Sequence, residues 1–245
     1  MGDVVDYRPV TSLRPVYRRD RAGKTHGWDE VVTETAYRLY VNGELWTEFL
    51  CLPTDLEYLA LGHLALAGRI GSATDIGELT HDAANGAIRV KLAPGARTPA
   101  PADLCGGSDI RLPAEAVLSL AAQLPTVSNL FRRTGGVHTA GIAKGDRLLF
   151  FFEDTGRHNA LDKIYGRCLL EGIPTRDKVL LFSGRATAKV VTKVRQMGIP
   201  VLVSRAATTS LALDLAEEAG ITLVGFARPD RLNVYTHPER ITGFL

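Results

Sequence analysis

The pattern of apolar and polar positions divides the chain into two unlike halves. From Ala36, Tyr37, Leu39 and Val41 interleave with Arg38 and Tyr40, and Leu45, Thr47 and Phe49 follow after Asn42-Gly43. Alternation of period two marks strands, and Asn-Gly between two such runs predicts a type I′ hairpin, because both residues tolerate positive φ. Thr54-Asp-Leu-Glu57 has the form of a capping box and opens a helix to about Ala67, with Leu56, Leu59, Ala60, His63 and Leu64 on one face. Short strands are expected near 76–81 and 87–92. Beyond residue 113 the pattern changes to apolar runs separated by helical stretches. Helices are expected at 114–124, 158–171, 186–197 and 209–219. Strands are expected at 138–143, 148–152, 178–182, 200–203, 221–226 and 232–235, with Lys144-Gly-Asp146 turning the first into the second. Strands of this kind need cover on both faces, so the second half reads as α/β with parallel members and the first as a smaller α+β unit.

Two stretches break the pattern. Residues 1–30 are polar, with Arg14, Arg18, Arg19, Arg21 and Lys24, and read as a loosely tied N-terminal arm with one short strand. Their arginines are either a solvated face or a contact for an acidic partner. Residues 93–112 carry Pro94, Pro99 and Pro101, with Pro113 just beyond, around Cys105-Gly-Gly-Ser108 and almost nothing periodic. An irregular segment of that length is usually functional or mobile, and it reads as a tether. The expected organisation is therefore an arm (1–30), an α+β subdomain ending in the mobile Cys105 loop (31–112) and an α/β cofactor-binding subdomain (113–245).

Composition narrows the class. With 45% hydrophobic and 23% charged residues, the 245-residue chain is an ordinary globular protein. Lys plus Arg number 29 against 27 Asp plus Glu, a net +2 that leaves no basic excess for coating nucleic acid. No apolar run approaches the roughly 18 residues of a membrane span, and the N-terminus has no secretory pattern. Three scattered cysteines make no disulfide framework, so a reducing, cytoplasmic compartment is expected.

The candidate chemistry sits in loops. Cys105 lies among glycines that let a partner's backbone approach, which suits a reactive thiolate; the other reading is a spare surface thiol. Cys51 in Leu-Cys-Leu and Cys168 in Arg-Cys-Leu-Leu read as core residues. No spacing of cysteine and histidine suggests a metal site. His138-Thr-Ala140 has the histidine of a zinc deaminase signature but neither its glutamate nor a downstream cysteine pair, so deamination is excluded while a related fold is not. Thr134-Gly135-Gly136 precedes a strand, and Thr155-Gly156-Arg157-His158 and Ser183-Gly184-Arg185 open helices. Glycines and hydroxyls at helix N-termini expose amides that bind phosphate, arginines add charge, and in open α/β sheets such loops converge at the strands' carboxyl ends. After the last long strand, Phe226-Ala227-Arg228-Pro229-Asp230-Arg231-Leu-Asn233 could hold a nucleotide base and phosphate, or Pro229-Asp230 is simply a turn.

At Thr134-Gly-Gly-Val-His138, Asp154-Thr-Gly-Arg-His-Asn-Ala-Leu-Asp-Lys163 and Asn233-Val-Tyr-Thr-His-Pro-Glu-Arg240, the chain resembles the FdhD family of formate dehydrogenase accessory sulfurtransferases. Val41-Asn-Gly43, Pro53-Thr-Asp-Leu56, Leu59-Ala-Leu-Gly62 and Gly68 extend the similarity over roughly 30–240. The resemblance implies a C-terminal three-layer α/β/α mixed sheet like that of cytidine deaminase. It implies a cytoplasmic homodimer that takes persulfide sulfur from a cysteine desulfurase onto a loop cysteine. The sulfur then passes to a bis-molybdopterin guanine dinucleotide molybdenum or tungsten cofactor, bound as substrate and not as a resident cofactor, before a formate dehydrogenase catalytic subunit receives it. Guanine nucleotides would mimic that substrate.

By position Cys105 matches the first cysteine of the family's C-G-x-C loop, and Phe226 to Arg231 the dinucleotide-contacting segment. Arg228, Asp230, Arg231 and Asn233 would hold the dinucleotide, with the loops around Gly135, Gly136, His138, Arg157, His158, Ser183, Gly184 and Arg185 completing the pocket. Ser108 stands where the family has its second cysteine. Persulfide formation needs only one thiol, so Cys105 is expected to carry sulfur without a resolving partner, and the Ser108 hydroxyl to hydrogen-bond the persulfide. The alternatives are a non-covalent cofactor chaperone and a nucleotide-binding regulator.

Overall fold

The computed structural model describes residues 9–96 and 108–243. The arginine-rich arm is a long antiparallel ribbon of β1 (Thr11–Asp20) and β2 (Gly23–Val32), not one short strand. Its strand character is hard to read from the pattern because most of both faces meets water. Leu13, Tyr17 and Trp28 are 67%, 84% and 65% exposed.

β3 (Thr35–Val41) and β4 (Glu44–Cys51) form the expected hairpin, with Asn42 at φ 52° and Gly43 at φ 89°. They join β5 (Ile76–Asp82) and β6 (Ala87–Leu92) in a sheet of order β4-β3-β6-β5, in which β3 and β6 run parallel. Helix α1 (Leu56–Leu66) packs on it, burying Leu56, Leu59, Ala60 and Leu64. The capping box does not form. Asp55, not Thr54, is the N-cap, in a left-handed conformation (φ 54°) without a side-chain cap.

The second half is a six-stranded mixed sheet of order β13-β12-β11-β10-β8-β9. β10 (Val179–Phe182), β11 (Val201–Ser204) and β12 (Thr222–Arg228) are parallel. β8 (His138–Lys144), β9 (Arg147–Asp154) and β13 (Arg231–Val234) pair antiparallel. Alternate residues divide between two cores. Ile142, Leu180, Leu202 and Leu223 face α4 (Arg157–Leu170), α5 (Ala188–Met197) and α6 (Ser210–Glu218). Ala143, Val179, Leu181, Val203 and Val224 face α2 (Ala114–Val127). This is the three-layer α/β/α arrangement.

A six-residue helix, α3 (Asn129–Thr134), was not foreseen, because with only Leu130 buried it carries no periodicity. A two-stranded parallel pair, β7 (Leu112–Pro113) and β14 (Ile241–Thr242), closes the chain's end onto the segment after Ser108.

The two halves meet at α1 and α4, where the backbones nearly touch. A Cβ on Gly62 would overlap the Asp162 carbonyl, and one on Gly166 the Tyr58 carbonyl. Only glycine permits that approach, which ties the first sheet rigidly to the second. Among the described residues no helix is long and apolar enough to cross a membrane.

Candidate functional site

β8 begins where β9, β10, β11 and β12 end, and a cavity of about 420 Å³ opens at that edge. Gly135, Gly136, His138, Thr155, Ser183, Arg205 and Arg228 line it, with Leu124, Pro125 and Phe131 as the apolar wall. Convergence at the carboxyl ends of the parallel strands is the position expected of an α/β ligand site. Of the residues nominated from sequence, the fold brings Gly135, Gly136, His138, Ser183 and Arg228 together here. Gly184 lies just behind, with its Cβ position 3.5 Å from His138 Nδ1.

Local hydrogen bonds set each wall. The Thr139 amide donates to Ser183 Oγ at 2.9 Å, and Ser183 Oγ lies 3.5 Å from His138 Nδ1, which couples β8 to the loop after β10. Ser204 Oγ donates to the Gly184 carbonyl at 2.8 Å and accepts from the Ala206 amide at 3.1 Å, fixing the neighbouring loop. A bulge between Gly225 and Arg228 interrupts the β12–β13 ladder, with Phe226 at φ 51°. Such bulges re-aim side chains, and this one sends Arg228 into the cavity while Ala227 stays in the core.

Charge is the site's leading property. Arg205 donates to the Ala121 carbonyl, and burial followed by the neighbouring Arg228 lowers its pKa from the ordinary value. Among the described residues neither arginine has a carboxylate partner. Burial, then Arg157, pushes the His138 pKa below the usual histidine value, against the opposing pull of Asp154. Burial, then Lys193 and Arg157, does the same to His158. Both shifts favour the neutral imidazole. Thr155 Oγ1, Arg157 Nε and His158 Nδ1 are buried without a hydrogen-bond partner among the described residues. Of these residues Thr155, in the loop between β9 and α4, lines the cavity, so its hydroxyl is left for a ligand to satisfy.

That loop is held from behind. Asp154 accepts from the Gly156 amide (2.8 Å), Asn159 Nδ2 (2.9 Å) and the Leu52 amide (3.3 Å), and pairs with Lys163. Asn159 Nδ2 also donates to the Leu50 carbonyl at 2.8 Å. Spacing alone did not assign these roles. Arg205 was also missed, although Ser204-Arg205 follows a strand just as Ser183-Gly184-Arg185 does, and the same strand-end reasoning would have found it.

Other nominated residues sit elsewhere. Arg185 is exposed at the loop before α5, and Arg157 and His158 lie in the first turn of α4, two and three residues after the cavity-lining Thr155. Phe226 acts through its backbone, donating to the Ala206 carbonyl at 3.0 Å. Pro229, Asp230 and Arg231 are exposed at the β12–β13 turn, and Asn233 is exposed and bonded to the Tyr235 hydroxyl.

Cys105 lies outside the described residues. Ser108 stands at the opposite end of the sheet from the cavity. Its hydroxyl donates to the Arg176 carbonyl at 3.0 Å and accepts from the Ile110 amide at 3.4 Å, so it is already engaged. Cys51 and Cys168 are buried, and burial pushes both thiols up to about 12. Among the described residues no group of three or more His, Cys, Asp or Glu is placed to hold a metal.

A three-layer mixed sheet with a cavity at its strand ends, lined by Arg205 and Arg228, defines the chain as an α/β protein with a basic strand-end cavity. The chain matches the FdhD/NarQ family over residues 32–102 and 97–242, and it belongs to that family. It is 36% identical to the sulfur carrier protein FdhD of Bacillus subtilis, over 95% of this chain and 98% of that one. It is 38% identical to the protein of the same name from Bacillus pumilus, over 96% and 99%. A crystal structure assigned as a formate dehydrogenase accessory protein from Desulfotalea psychrophila superposes with a TM-score of 0.84 at 32% identity, covering 95% of this chain and all of that one.

Proposed function

We propose that this protein is a sulfur carrier serving formate dehydrogenase. Cys105 accepts sulfur when its thiolate attacks the terminal sulfur of a cysteine desulfurase persulfide and the donor's cysteine leaves as thiolate. The terminal sulfur then passes to the substrate, the bis-molybdopterin guanine dinucleotide cofactor. The S–S bond breaks, Cys105 leaves as thiolate, and the cofactor's metal supplies the two electrons that bring the sulfur to the sulfide level, before a formate dehydrogenase catalytic subunit receives the cofactor. The observation that carries the reading is the state of the other thiols. Cys51 and Cys168 are sealed in the core with pKa values pushed up to about 12, so neither offers a thiolate, and the chain has three cysteines in all. The names of the relatives call for a sulfur-bearing group, and that leaves Cys105.

The cavity supplies the second half of the reading. Arg205 and Arg228 with the orphaned Thr155 Oγ1 suit a pyrophosphate, and the Pro125–Phe131 wall suits a flat base. Ser108, three residues along the chain from Cys105, stands at the end of the sheet away from the cavity, where its hydroxyl donates to the Arg176 carbonyl and its carbonyl accepts from Arg240 Nε.

The test is complementation of a cytoplasmic formate dehydrogenase in cells lacking their own sulfur carrier of this family. Cys105→Ala is expected to leave the enzyme inactive and Cys51→Ala to restore it. Full restoration by Cys105→Ala would replace sulfur transfer with non-covalent cofactor handling.

A further inference from the structure

No residue of the β1–β2 ribbon lines the cavity, yet the ribbon's base supports the cavity wall from behind. That wall includes Phe131 of α3 and, four residues on, the run Gly135, Gly136, Val137 and His138. Its rear is a small separate core in which Leu130 and Val137 pack with Leu52, Val10 and Val32, the last two bracketing the ribbon. Gly136 lies so close to Val32 that a Cβ there would fall 2.5 Å from Val32 Cγ1 and 3.2 Å from its Cβ. One turn earlier, Arg133 of α3 makes a two-pronged pair with Glu30 of β2, with its Nε donating to Oε2 at 2.9 Å. Thr11 of β1 donates to the same carboxylate at 2.8 Å, and the Thr33 amide to the Val10 carbonyl at 2.9 Å, so both strands are locked where they meet the wall. Beyond this base the ribbon stands in solvent.

An isolated two-stranded ribbon is marginal in water, and a six-residue helix is too short to hold itself. Each is ordered by the other. We propose that the ribbon's base, through Glu30 and Val32, is a positioning element of the ligand cavity that fixes the Phe131–His138 wall. The proposal rests on the reading of the cavity as a guanine-nucleotide site. It explains why a chain with a complete six-stranded sheet retains twenty residues of ribbon that add little core of their own. The Arg133 hydrogen bond, followed by that of Thr11, holds the Glu30 carboxyl below the usual carboxylate range, as the geometry requires.

The experiment uses the full-length protein with GDP as probe, alongside hydrogen exchange at residues 135–139. Glu30→Ala and Val32→Ala are each expected to weaken GDP binding by roughly two- to thirty-fold, with faster exchange at 135–139 and unchanged exchange in β10 and β11. The charge-exchanged pair Glu30→Arg with Arg133→Glu is expected to recover affinity, and the unchanged exchange in β10 and β11 separates this local effect from a general loss of stability. Wild-type affinity and exchange in both single variants overturn the positioning role. A wild-type protein that does not bind GDP overturns the cavity reading and the role with it, whereas the Cys105 assignment stands on its own complementation result.

Discussion

Lys163 Nζ lies 2.7 Å from Asp154 Oδ2, and neither side chain has any exposed surface. Both ends are fully used. Asp154 collects the Gly156 and Leu52 amides and Asn159, while Lys163 donates to the Glu153 carbonyl at 3.2 Å. The pair clamps the Thr155–His158 loop between β9 and α4 and binds both to the end of β4.

Removing one member leaves the other charged and buried. Lys163→Met and Asp154→Asn are each expected to cost about 3–5 kcal/mol, measured as a lower urea midpoint with little change in slope. A loss below about 1 kcal/mol would mean that the pair is not what holds the loop.

Arg205 and Arg228 meet in the cavity without carboxylate neighbours among the described residues. Alanine at either position is expected to weaken GDP binding by about ten- to a hundred-fold, the range of a lost charge-assisted contact. The double variant should lose less than the sum, because adjacent sites couple. Calorimetric titration at low and high salt checks this, and unchanged affinity in both single variants would remove the arginines from the site.

Acidification should destabilise the protein through His138 and His158. Their folded-state pKa values lie below the ordinary 6.5, so the unfolded chain binds protons first as pH falls. Stability is therefore fully present above about pH 6.5 and declines as pH drops through the folded values. Thermal midpoints followed from about pH 8 to pH 5 should fall less steeply in His138→Gln and His158→Gln than in wild type. Identical slopes would assign the acid sensitivity to other groups.

Much of this architecture was legible because local chemistry and tertiary context agree. Asn42-Gly43 takes the positive φ values that its hairpin needs, and the strands from β8 to β13 fall where apolar runs stand. The ribbon was not legible, since its exposed faces carry no alternation, and α3 was too short to show a period. Thr54 shows the reverse case: a well-formed capping box that the left-handed turn at Asp55 overrides. In the site, strand-end glycines and Arg228 could be nominated from spacing, but Arg205 and the Asp154–Lys163 clamp depend on which strand ends become neighbours.

Sulfur loading at Cys105 is the central claim, and intact-protein mass spectrometry after incubation with a cysteine desulfurase and cysteine tests it most directly. Wild type is expected to gain one sulfur atom, lost on reduction, and Cys105→Ala none, with Cys51 and Cys168 silent because their thiols are buried and held near 12. A folded, GDP-binding wild-type protein that gains no sulfur would contradict the assignment of this chain as a sulfur carrier.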